Sequence, residues 1–163
     1  MTLVADASSL ILLAKSGVLK DFIQEKKIMI PQRVYEEIIA GKEKFREDAF
    51  LIEKLVKENK IEVVKPNEKI KEQVRKLFGL SGGEQEAISL ALEKRLSIIT
   101  DDKKCLNAAK AIGIDFITSL DVIVALYKKR VINKEKALEC VDRLEEYGWY
   151  ANDIIKSYKE AIK

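Results

Sequence analysis

What most constrains this chain is an alternation: short apolar runs are followed, time after time, by longer stretches with helical spacing. That pattern builds a parallel sheet covered by helices. Strands are predicted at 3–6, 27–30, 61–64, 97–100 and 115–118. Helices are predicted at 8–15, 19–25, 32–40, 45–59, 68–78, 83–95, 103–112 and 119–129. The first, fourth and fifth runs are almost continuously apolar, as strands buried on both faces should be. After Val131-Ile132-Asn133 the pattern turns purely helical, over 134–147 and 151–162. The expected class is α/β: three layers, α/β/α, around a central parallel sheet of about five strands, with a C-terminal two-helix extension. A length of 163 residues suits a single domain, with 1–130 as the α/β core and 131–163 as a helical tail.

Composition removes whole classes of chemistry. The chain has no histidine, which excludes Ser-His-Asp and Cys-His nucleophilic sites, histidine acid–base catalysis and histidine-held zinc. Chemistry here must run on carboxylates, hydroxyls, lysines or metal ions. Cys105 and Cys140 are far apart and read as two core thiols, not as a metal-ligand pair. Apolar content of 47% with 35% charged residues indicates a compact, highly charged globule. A net charge of +3 permits a basic rim around an acidic pocket. No apolar run approaches the ~20 residues that span a bilayer. No basic start with a small-residue cleavage site precedes the first strand, so the expected location is the cytoplasm.

Four acids stand out from the solvated majority. Asp6 ends the run Leu3-Val4-Ala5, and Asp102 follows Leu96-Ser97-Ile98-Ile99-Thr100. In open α/β sheets ligands bind at the carboxyl ends of strands, where both acids fall. Each also has a plainer reading as the N-cap of the next helix. Parallel strands present their carboxyl ends on one edge, so Asp6 and Asp102 can be neighbours, with the hydroxyls of Ser8 and Thr100 in reach. Asp101 and Asp102 cannot both point into one pocket from an extended chain. One should ligate, and the other should orient it or face solvent. Glu84 falls inside the apolar stripe of Ala87, Ile88, Leu90, Ala91 and Leu92, where a lone carboxylate is costly. Ser81-Gly82-Gly83-Glu84 also matches a capping box. Glu36 and Glu37 lie equally far from the face set by Val34, Tyr35, Ile38 and Ile39, and periodicity does not choose between them. Carboxylates gathered without cations repel, so such a set implies a divalent metal.

These residues resemble the PIN domain family over nearly the whole chain. Asp6-Ala7-Ser8-Ser9-Leu10-Ile11 resembles the family's D-x-S-x-L-I opening. Pro31-Gln32-Arg33-Val34-Tyr35-Glu36-Glu37-Ile38 is similar to its P-x-x-V-x-x-E-V segment, and the likeness selects Glu37. Leu80 to Ala91 resembles the L-x-x-G-E-x-E-A-I-x-L-A block of a prokaryotic subgroup with many VapC-like members. Ile98-Ile99-Thr100-Asp101-Asp102 is similar to the family's hydrophobic-T-x-D signature, and Leu144-Glu145-Glu146-Tyr147-Gly148-Trp149 to that subgroup's ending.

The resemblance implies a ribonuclease dependent on Mg²⁺ or Mn²⁺, with Asp6, Glu37, Glu84 and Asp102 as catalytic metal ligands. Ser8, Thr100 and Asp101 would support them, and Arg33, Lys103 and Lys104 would hold RNA phosphates. It further implies an RNA substrate, a small antitoxin protein as partner, and a homodimer. Many members carry Asp where Glu84 stands. That difference, with the tail bearing Trp149 and Tyr150, motivates a second reading: a PIN-fold interaction module of weak or no activity.

Overall fold

The computed structural model describes residues 1–44, 46–147 and 150–163. Phe45, where the fourth helix was expected to begin, lies outside the described residues, as do Gly148 and Trp149 of the subgroup-like ending. Strands β1 (Thr2–Ala5), β2 (Lys27–Pro31), β3 (Ile61–Val64), β4 (Ser97–Ile99) and β5 (Phe116–Ile117) alternate with α1 (Ala7–Ser16), α2 (Leu19–Glu25), α3 (Gln32–Ala40), α4 (Arg46–Lys57), α5 (Glu68–Phe78), α6 (Gly82–Lys94), α7 (Lys103–Ile112) and α8 (Ser119–Lys128). Helices α9 (Lys134–Tyr147) and α10 (Asn152–Ala161) follow. Every strand pairing is parallel, in the order β3-β2-β1-β4-β5. This is the three-layer α/β/α arrangement that the alternation implied.

Alternation along β1 sorts the layers, because successive side chains of a strand point to opposite faces. Leu3 and Ala5 enter an apolar cluster with residues of α1 to α4 and of α8 to α10. Val4 enters a second cluster with Val74 of α5, Ile88 of α6 and Cys105 of α7. Leu144, Ile155 and Ile162 sit in the first cluster beside Leu10 and Leu13, so the last two helices share the core of α1. No helix among the described residues is long and apolar enough to cross a membrane.

Boundaries shift by local chemistry. Strand β1 stops at Ala5 because Asp6 leaves the strand to cap α1. Helix α4 stops at Lys57, short of the expected 59: Asn59 turns left-handed, at φ 59, and its N–H and that of Lys60 return to the carbonyls of Val56 and Leu55. Such a left-handed residue is a usual helix end. Strand β5 has only two residues, because Thr118 beyond it is recruited to cap α8.

The strand order places the site. From β1 the chain winds outward through β2 to β3, then returns to the other flank of β1 as β4. The direction of winding therefore reverses between β1 and β4, and the crevice at their carboxyl ends is where doubly wound sheets take ligands. Asp6 follows one of these strands, and Thr100, Asp101 and Asp102 follow the other.

Candidate metal centre

Asp6 is 2% exposed and caps α1, accepting from the Ser9 N–H at 2.9 Å and, more weakly, from Ser8 Oγ at 3.4 Å. Its other oxygen accepts from Thr100 Oγ1. The Thr100 hydroxyl in turn accepts from the Asp102 N–H at 3.1 Å. One buried threonine thus ties the end of β1 to the start of α7. Asp102 caps α7 by accepting from the Cys105 N–H at 2.9 Å. The plain cap readings of Asp6 and Asp102 are both realised, and they coexist with a shared location. A cap uses one acceptor position of a carboxylate that has about four.

Glu84 settles differently. Ser81 stands at the N-cap of α6 but makes no side-chain cap hydrogen bond, so the capping box is not formed. The Glu84 carboxylate instead lies half-buried in the crevice. One of its oxygens, an Asp102 oxygen and Cys105 Sγ all lie within 4.8 Å of one another. Burial first, then the charges of Asp102, Asp6 and Glu37, push its pKa above the usual carboxylate value, while Lys104 pulls the other way. Burial likewise raises Asp6, against the hydrogen bonds from Thr100 and Ser9, and the charge of Asp101 adds to the rise.

Glu37 reaches the same crevice from α3. Its Oε1 accepts from the Gly83 N–H at 2.8 Å, and Arg33 Nε lies 3.6 Å away in an exposed ion pair. Glu36 turns to solvent and accepts from Gln32 Nε2 at 3.1 Å. The approach of Glu37 needs a glycine: a Cβ at Gly83 would stand 2.4 Å from Glu37 Oε2. Lys103 and Lys104 are exposed on the first turn of α7.

Asp101 points away from the other acids. It accepts from Ser9 Oγ at 2.8 Å, from Ser119 Oγ at 2.5 Å, from the Ser119 N–H at 3.1 Å and from the Tyr150 hydroxyl. Of the two adjacent aspartates, Asp102 faces Glu84, and Asp101 is bound up by hydroxyls.

Three participants were not foreseen. Ser9 serves both acids, through its N–H to Asp6 and its hydroxyl to Asp101. Its signal was a serine in helical phase with Leu12, Leu13 and Ser16, all buried. Ser119 and Tyr150 had no local signal. Cys105 is a core thiol as expected, but it also borders the carboxylates. Burial and the charges of Asp6, Asp102 and Glu84 hold it far above the usual thiol range, as a neutral thiol.

A donor set of carboxylate oxygens, mutually repelling and with Lys104 the one cation among the largest influences on Glu84, fits a hard divalent ion. A family model described as DUF3368, a PIN domain, matches residues 2–163. No curated protein matches the chain. PIN domains are in general nucleases that use divalent metal ions. With its all-parallel sheet, its acids at the reversal between β1 and β4, and a match over almost its full length, the chain belongs to the PIN domain family.

Proposed function

We propose that this protein is a metal-dependent endoribonuclease whose centre is formed by Asp6, Glu37, Glu84 and Asp102. The observation that carries this reading is the meeting of Glu84 and Asp102, with their nearest oxygens within 4.8 Å, under the added charges of Asp6 and Glu37. Mg²⁺ or Mn²⁺ bound there would supply an activated water and offset charge on the phosphodiester. Asp6 is the rigid member, because Thr100 and Ser9 fix both of its oxygens while leaving acceptor positions free. Glu84 and Asp102 are each only part-buried, so a cation can reach them from solvent. Glu37, held by Gly83, closes the acidic side. Arg33, Lys103 and Lys104 are exposed beside the crevice and hold RNA phosphates.

The finer reading is the toxin of a toxin–antitoxin pair: a cytoplasmic homodimer of single-domain chains, restrained by a small antitoxin protein. The motif order shared with VapC-like members supports it. Asp102→Asn keeps an N-cap residue and should leave the circular dichroism spectrum unchanged. It should also abolish Mn²⁺-dependent RNA cleavage and Mn²⁺ binding together. Wild-type protein that binds Mn²⁺ yet never cuts structured or unstructured RNA would leave a PIN-fold interaction module instead.

A further inference from the structure

The four-carboxylate reading gives Asp101 only an unspecified supporting part, although it stands between Thr100, which holds Asp6, and Asp102, which faces Glu84. Its donors are two serines and a tyrosine: Ser9 Oγ at 2.8 Å, Ser119 Oγ at 2.5 Å, the Ser119 N–H at 3.1 Å, and the hydroxyl of Tyr150. Four donors fill the roughly four acceptor positions of a carboxylate, so Asp101 is saturated without a cation. They come from α1, from the start of α8 and from the segment leading into α10. Tyr150 is partly buried, and burial together with the Asp101 charge keeps its phenol protonated as a donor. Helix α10 is itself anchored: Tyr158 Oη donates to Asp121 at 2.6 Å, and Ile155 and Ile162 are buried in the core.

Three consecutive side chains thus diverge, Thr100 to Asp6, Asp101 to α8 and Tyr150, and Asp102 to Glu84. Holding the middle one fixes the backbone that aims the other two. We propose that Tyr150 is a positioning residue: through Asp101, its hydroxyl makes the C-terminal segment hold the turn from β4 to α7 that presents Asp102 to the metal. The proposal rests on the metal-dependent reading of the site. It assigns the tail a part in the centre without any contact between tail and metal. Partners that orient ligand groups in this way commonly matter about 10–100-fold in metal affinity.

The test compares Tyr150→Phe with Tyr158→Phe, which loses a similar phenol–carboxylate bond made to Asp121 instead of Asp101. Hydrogen exchange of the Asp102 and Cys105 amides is followed in metal-free protein, and Mn²⁺ affinity is measured by titration. Tyr150→Phe should speed exchange at both amides and weaken Mn²⁺ binding about tenfold or more. Tyr158→Phe should lower the melting temperature comparably while changing neither. Unchanged exchange in Tyr150→Phe, or equal effects in the two variants, overturns the proposal. Wild-type protein that binds no Mn²⁺ would remove the nuclease reading; the exchange comparison would still decide whether Tyr150 holds the turn.

Discussion

Asp6 carries an acid in surroundings that disfavour its charge. Burial raises its pKa above 3.8, and the hydrogen bonds from Thr100 and Ser9 only partly oppose the rise. Glu84 is raised above 4.5 for the same leading reason. A carboxyl whose folded pKa exceeds its unfolded value binds protons more readily when folded. The folded state therefore gains from these groups at low pH and loses that gain as pH rises from their unfolded values through their folded ones. Without metal, the contribution of Asp6 and Glu84 should fall as pH climbs from about 4 toward neutrality. Asp6→Asn removes the charge and keeps an equally good helix cap. Metal-free Asp6→Asn should thus melt higher than wild type at pH 7, by about 2–4 °C for each kcal/mol regained. At pH 4 the two should converge. Thermal melts with chelator across that range decide it, and a variant less stable than wild type at pH 7 would mean that the carboxylate is well satisfied where it lies.

At the scale of elements, the joint between α3 and α6 rests on one close approach. Gly83 gives its N–H to Glu37, and a Cβ there would meet Glu37 Oε2 at 2.4 Å. Glycine in a helix interior costs roughly 0.5–1 kcal/mol relative to alanine, so Gly83→Ala, in the first turn of α6, carries a gain of at most that size. Against it stands the loss of one hydrogen bond, about 1 kcal/mol. The Glu37 side chain is 41% exposed and can swing to solvent, so the strain is relieved cheaply. The two terms nearly cancel, and Gly83→Ala should melt within a few degrees of wild type while binding Mn²⁺ more weakly. Unchanged Mn²⁺ affinity would remove Glu37 from the ligand set. The same joint shows why parts of the site were legible in the sequence and others were not. Glu84 stood out because it falls in phase with Ala87, Ile88 and Ala91 of its own helix, all of them buried. Glu37 and Glu36 were equivalent by phase, and what separates them is Gly83, 46 residues away in the chain. The family likeness chose Asp102 over Asp101, but the physical difference between them lies in donors 18 and 49 residues downstream, at Ser119 and Tyr150. Strand and helix identities followed from local periodicity, whereas the short β5 reflects the use of Thr118 as the cap of α8.

For the molecule as a whole, the chain is basic, at +3, yet gathers its repelling acids at one crevice. A fold of that kind holds a local electrostatic cost that a bound cation would relieve, and the relief must appear in global stability. A ligand that binds only the folded state stabilises it by RT ln(1 + [L]/Kd), about 2.7 kcal/mol at a hundredfold excess over Kd. For a chain of this size that is roughly 5–10 °C in melting temperature. Mn²⁺ should therefore raise the melting temperature of wild-type protein by about that much at pH 7, and chelator should reverse it. Because protons and cation compete for the same carboxylates, the gain should shrink toward pH 5. Asp102→Asn should lose most of the gain at every pH. Asp142→Asn should keep it, since Asp142 pairs with Lys159 at 2.7 Å in the tail, outside the crevice. Equal melting temperatures with Mn²⁺ and with chelator at pH 7 would show that the acids tolerate one another without a cation, and the metal-dependent reading would fall with that result.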